Sequence, residues 1–143
     1  MAGTMNYAAL RRFRENLNKL NGPQKQQFTE AAVKELAARL LRKVKPRTPV
    51  GQYPSGSGKV GGTLRRNWTI GNVIREGSSY SIEVINPTEY AVYVEYGHRT
   101  RNHTGWVDGR FMLTISEQEL KQDAPRILEN KLKKFVEGTL NAK

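Results

Sequence analysis

Between Pro23 and Lys45, the residues Phe28, Ala32, Val33, Leu36, Ala37, Leu40, Leu41 and Val44 recur at three- and four-residue spacing. That is one apolar face sustained over about six helical turns. A helix of this length cannot leave such a stripe in water, so the rest of the chain has to supply a layer that covers it. Two further segments carry helical spacing. Leu10, Phe13, Leu17 and Leu20 mark a first helix from about Asn6 to Leu20. Ile127, Leu128, Leu132, Phe135, Val136 and Leu140 share a face of a C-terminal helix that Pro125 begins or kinks. Asn21-Gly22-Pro23 separates the first two helices: Gly suits a C′ position, and Pro opens the next helix where its missing N–H is not needed.

The intervening residues read as β-structure beside long loops. Residues 46–62 hold Pro46, Pro49 and Pro54, five glycines and three Ser/Thr, the composition of a flexible loop that is functional or ordered by a partner. Leu64, Trp68 and Ile70 then alternate on one face, and Val73-Ile74 resumes the run after Gly71-Asn72. Gly77-Ser78-Ser79 makes a turn, after which Tyr80, Ile82 and Val84 alternate until Asn86-Pro87. The run Tyr90 to Tyr96 is apolar on both a period-two and a helical reading, so periodicity leaves its state open. The expected fold class is α+β, with long N-terminal helices and a C-terminal helix packed on a small antiparallel sheet. A chain of 143 residues has room for one domain, 1–143. Within it we expect a helical region at 6–45, the loop at 46–62, the sheet at 63–113 and the C-terminal helix at 114–140.

Charge is distributed unevenly. Residues 1–66 carry 14 Lys/Arg against 3 Asp/Glu, and residues 67–143 carry 10 against 10, so the whole net charge of +11 sits in the N-terminal half. This points to an acidic partner, nucleic acid or an acidic protein surface, with a solvated helix face as the plain alternative. The basic candidates are Arg39, Arg42, Lys43, Lys45 and Arg47 at the end of the long helix, then Lys59, Arg65 and Arg66 after it. Cations in a last helical turn also complement the helix dipole. No run approaches the ~20 apolar residues of a membrane helix, so no membrane partner is expected. The start of the chain lacks the layout of a secretory signal, and no cysteine is present, so the expected place of synthesis and folding is a reducing cytoplasm. The Asn-x-Thr sequons at Asn67 and Asn102 then carry no weight.

Catalytic, metal and cofactor sites are not expected. Gly56-Ser57-Gly58-Lys59-Val60-Gly61 matches a three-glycine nucleotide pattern in letters. It follows a Pro-rich loop where a strand is required, and Val60 stands where a phosphate loop needs Ser or Thr. His98 and His103 are the only histidines, with Arg99 and Arg101 between them, a setting that repels a dication. There is no Cys and no nucleophile-elbow pattern, and Asp108, Glu83, Glu89 and Glu95 form no defensible catalytic pair. What stands out instead is Tyr90, Tyr93, Glu95, Tyr96, Gly97, His98, Arg99, Arg101 and Trp106, dense in residue types favoured at protein interfaces, with core packing of the tyrosines under wetted hydroxyls as the plain alternative.

Two stretches resemble a known family. Thr48-Pro49-Val50 at the end of a long helix, followed by Gly62-Thr63-Leu64-Arg65-Arg66-Asn67-Trp68, is similar to the Pro-Val, Asp-Thr-Gly and Leu-Arg signature of small phage head–tail joining or tail-completion proteins of the gene-product-ten type. Tyr90-Ala91-Val92-Tyr93-Val94-Glu95-Tyr96-Gly97 resembles that family's Tyr-Ala-x-Tyr-x-Glu-x-Gly block. Relatives occur in defective prophages and phage-tail-like bacteriocins. The likeness spans roughly residues 23–140, with two departures: Gly51 to Gly61 intervene as an insertion, and His98 to Gly109 is longer and more basic than usual. The resemblance implies a short helix near 89–96. It also implies a homo-oligomeric ring in the neck of the particle, touching portal or adaptor, tail terminator, and tail tube or sheath, with DNA in the channel as a further contact. The protein would be made in the bacterial cytoplasm and end in the virion or tail-like particle. The alternative is a stand-alone basic nucleic-acid-binding protein. On the ring reading, Tyr93→Ala or Glu95→Lys is expected to abolish particle assembly while the isolated chain stays folded.

Overall fold

The computed structural model describes residues 7–51, 56–58 and 61–141. Asn6, Pro54, Lys59 and Val60, named above, lie outside the described residues, as do the side chains of Leu10 and Leu140. Helix α1 is Tyr7–Asn18 and helix α2 is Gly22–Arg47. Their junction is a reciprocal cap: Gln24 N–H donates to Asn21 Oδ1 at 2.8 Å, and Asn21 N–H donates to Gln24 Oε1 at 2.9 Å. Gly22 is therefore not a C′ residue ending α1, as expected, but the first helical residue of α2. Nor does α2 stop before Pro46. It passes through that proline to Arg47; Pro46 is its next-to-last residue, so the missing N–H and the ring's clash with the carbonyl four residues back disturb only the last turn.

The C-terminal helix, labelled α5 below, runs Met112–Asn141 and so begins well before Pro125, which lies inside it. By internal packing the chain divides into two compact units, and α2 and α5 contribute to both. One comprises residues 1–36, 73–82 and 119–143; the other comprises residues 37–72 and 83–118.

In the first unit, Leu20, Phe28, Ala32, Leu132 and Val136 are buried together, with Phe13, Leu17, Leu128 and Phe135 packed around them. Phe28 meets Phe13 and Phe135 at centroid distances of 6.4 and 5.7 Å in tilted geometry. Ion pairs Arg12–Glu129 at 3.2 Å and Lys131–Glu35 at 3.3 Å lie at its margin. The unit also holds a hairpin of β2 (Ile74–Glu76) and β3 (Ser79–Ser81), turned by Gly77 at φ 61°, the conformation a two-residue hairpin loop asks of its first residue.

The second unit places Val44, Leu64, Trp68, Ala91 and Met112 in one core, flanked by Leu41, Val84, Val94 and Leu113. Its elements are a one-turn helix α3 (Thr63–Arg66), strand β1 (Thr69–Ile70) paired antiparallel with β4 (Val84–Ile85), helix α4 (Ala91–Tyr96), and a second antiparallel pair, β5 (Gly97–Arg99) with β6 (Trp106–Asp108). The fold is α+β, and its antiparallel structure among the described residues is three separate two-stranded pairs. Residues 63–66 were expected to be extended. Leu64 and Trp68 are four apart, a spacing that satisfies a strand and a helical turn alike, and Gly62 at φ 94° starts a turn that Arg66 N–H and Asn67 N–H close onto Gly62 and Thr63 carbonyls. The alternation from Tyr80 to Val84 likewise crosses two ladders, because β3 pairs with β2 and β4 with β1.

Candidate protein-interaction site

The two signature-like stretches lie in the second unit. Thr48 is fully buried immediately after α2. Its hydroxyl donates to Val44 O at 2.8 Å and accepts the Trp68 indole N–H at 2.7 Å. Its carbonyl accepts Arg65 Nε and Nη2 at 3.1 and 2.7 Å. Asn86 Nδ2 donates to Leu64 O at 2.7 Å, and Asn67 Nδ2 donates to Thr88 Oγ1 at 2.9 Å. The residues of the first stretch thus interlock with one another. A Cβ on Gly61 would collide with the Gly51 carbonyl, so the two ends of the long loop meet.

The second stretch begins at α4. Glu95, buried on that helix at 6% exposure, accepts Leu113 N–H at 2.9 Å through one oxygen. Its other oxygen accepts Thr114 N–H at 2.9 Å and Thr114 Oγ1 at 2.7 Å. Helix α5 has Phe111 at its N-cap position, with φ 48° and no side-chain acceptor. Glu95 therefore does from a distance what a capping Ser or Asp does locally, and adds a negative charge at the positive end of the helix. Its carboxylate is occupied within the chain, so Glu95→Lys acts on the fold and cannot leave the isolated protein undisturbed. Gly97, at φ 90°, has no room for a Cβ: one would lie 2.6 Å from Val107 O and 3.0 Å from the Trp106 ring. Both signature residues hold the end of α4 against β6 and the start of α5.

Of the remaining members of the cluster, all but the half-buried His98 face outward. Val92, Tyr93, Tyr96 and Trp106 are 62%, 56%, 61% and 59% exposed, and Tyr90, Val107, Phe111 and Ile115 are exposed by rather less than half. Tyr93 meets the His98 ring edge-on at 6.0 Å, and Tyr96 meets Phe111 at 6.3 Å. His98 Nδ1 is buried with no hydrogen-bond partner among the described residues. Arg99 stands directly across the ladder from Trp106. The loop between β5 and β6 is internally tied: Asn102 Oδ1 accepts Thr100 Oγ1, Thr104 N–H and Thr104 Oγ1 at 2.7, 3.2 and 2.7 Å. Gly105 N–H donates to Thr100 Oγ1 at 3.0 Å. Arg99 and Arg101 are exposed on this hairpin. A contiguous display of Tyr, Trp and Arg with aliphatic neighbours, on a scaffold braced by its own hydrogen bonds, is what a preorganised protein-binding surface requires.

The basic set does not form one open patch. Arg65 is pinned to Thr48, Arg66 Nη1 donates to Gly61 O at 3.0 Å, and Arg47 Nη1 donates to Ser116 Oγ at 3.0 Å. Arg42 is exposed, whereas Arg39, Lys43 and Lys45 are half-buried along α2. Lys59 lies outside the described residues. Among the described residues there is no group of three His, Asp or Glu placed to hold a metal, and no helix is long and apolar enough to cross a membrane. Sequence reasoning singled out the aromatic display by composition, but not Thr48 as a hydrogen-bonding hub or Glu95 as a cap. The available signal for the latter was a long C-terminal helix whose start carries no local capping residue.

The model of the family described as "Bacteriophage HK97-gp10, putative tail-component" matches residues 11–97, more than half of the chain. No curated protein and no solved structure matches it.

Proposed function

The chain belongs to the HK97-gp10-like family of phage tail components, and from that premise we propose that it is a neck protein, acting as a head–tail connector or tail-completion ring. A phage structural protein works by binding its neighbours. The observation that carries the finer reading is the exposed Tyr93, Tyr96 and Trp106 on α4 and the β5–β6 hairpin, held there by a buried Glu95 and a cramped Gly97. In this reading the partners are further copies of the chain and the adjoining portal or adaptor, terminator, tube or sheath proteins. Assembly takes place in the host cytoplasm and the protein stays in the particle. The reading includes no catalytic step and no cofactor.

The test is particle production with Tyr93→Ala and Trp106→Ala, each checked for folding by its unfolding midpoint. The expected result is wild-type stability with tails that are unattached or lack a finished end by electron microscopy. Normal particles from both variants overturn the assignment. A second reading, a stand-alone nucleic-acid-binding protein, is favoured by the concentration of the +11 charge in residues 1–66. It requires tight, salt-sensitive DNA binding by the isolated chain.

A further inference from the structure

Beside α4 the second unit has an open groove of about 280 Å³, lined chiefly by Trp68, Val84, Ile85, Val92, Tyr96 and Met112. That is below the ~300–1,000 Å³ of small-molecule sites and leaves room for one large side chain. Its amide, carboxylate and indole N–H are already engaged, Asn86 with Leu64 O, Glu95 with the start of α5 and Trp68 with Thr48. Little is left to orient a polar ligand, so the natural occupant is apolar. The segments that form the groove also carry Glu83 and Glu89, both exposed.

The same unit displays the complement. The β5–β6 hairpin presents Trp106 and Val107, with Arg99 and Arg101 exposed around them and a tied loop at its tip. Trp106 is more than half exposed, so it does not fill the groove of its own chain. An apolar knob paired across its ladder with Arg99, on a hairpin that also exposes Arg101, and an apolar groove whose segments expose Glu83 and Glu89 complement each other in character and in charge. Resting on the reading above, we propose that copies of this chain join head to tail, the hairpin of one seating Trp106 in the groove of the next. Such a contact is heterologous, and it gives a ring where the rotation between neighbours closes and a filament where it does not.

The chain contains no cysteine, so engineered thiols report this contact without background. Val107→Cys marks the hairpin and Val92→Cys marks the groove. The full-length variants are oxidised mildly at high concentration and resolved without reductant. The mixture of the two single variants is expected to give linked dimers, the double variant a ladder, and each single variant alone essentially none. Adding Trp106→Ala lowers the linked fraction at least about tenfold, as loss of a central interface anchor does. Val107→Cys linking to itself as well as to Val92→Cys overturns the inference in favour of a symmetric hairpin contact. Absence of links in every combination overturns it as well, whether light scattering shows a monomer or an oligomer built through another surface. Suppression of the links by linear DNA or by an acidic polypeptide that protects Trp106 identifies a different occupant and overturns it too. Detection of the wild-type chain in purified particles is scored separately, and only its absence there counts against the phage structural reading itself.

Discussion

Thr48 holds together residues that are far apart in the chain, and its small side chain uses both hydrogen-bonding capacities of a hydroxyl. Thr48→Val keeps the volume but leaves the buried Trp68 N–H without an acceptor, a loss of about 1–3 kcal/mol in chemical denaturation. Trp68→Phe removes that donor, so in the double variant the two costs are expected to fall short of their sum. Strict additivity would mean that the Thr48–Trp68 bond contributes nothing. Glu95 makes a sharper case because one carboxylate serves three donors. Glu95→Gln retains an acceptor and costs about 1–2 kcal/mol, whereas Glu95→Lys leaves the first turn of α5 uncapped beside a cation and costs roughly 3 kcal/mol or more. Wild-type stability in the lysine variant would return Glu95 to the outer surface. Tyr93→Ala and Trp106→Ala are expected to change stability by less than about 1 kcal/mol, because both side chains are largely exposed.

Among the elements, the long loop after α2 is the one whose removal is most informative. Gly51 and Gly61 touch, so a short link can join the two in place of residues 52–60. Replacing them with Gly-Gly should leave unfolding cooperative and shift stability by no more than about 1 kcal/mol, upward if loop closure dominates. Loss of cooperative unfolding would show that the insertion is a structural part of its unit. This contrast follows what was legible in the sequence. Helices α1, α2 and α5 were readable because each buries one face at helical spacing, and the apolar positions Phe28, Ala32, Leu132 and Val136 do meet in a core. The turn at Thr63–Arg66 was not, since Leu64 and Trp68 satisfy either period. Tyr90 to Tyr96 was ambiguous because its residues divide between a buried face, Ala91 and Glu95, and an exposed one, Val92, Tyr93 and Tyr96. The aromatic display showed in composition alone. The roles of Thr48 and Glu95 were hidden because their partners lie 20 and 18 residues away, beyond any local pattern.

For the whole molecule the open question is what the net charge of +11 meets. Three of the cations assigned to a nucleic-acid face are bonded within the chain: Arg47 to Ser116, Arg65 to Thr48 and Arg66 to Gly61. Those acceptors are neutral and leave the positive charges in place; with on the order of three phosphates neutralised, affinity for linear DNA should fall about 40-fold between ~50 and ~200 mM salt. It should also be indifferent to base sequence. The same titration with Trp106→Ala separates the two surfaces. If DNA is held by charge alone, removing an uncharged indole leaves the affinity and its salt slope unchanged. If the hairpin is instead a platform for unstacked bases, the variant loses affinity at every salt concentration, most on single strands, where each stacked base contributes about 1–3 kcal/mol. The expected result is the first. The tyrosines and valines around Trp106 suit the dry centre of a protein contact, and the remaining basic residues then act as a diffuse attraction toward whatever acidic ring or channel the protein adjoins.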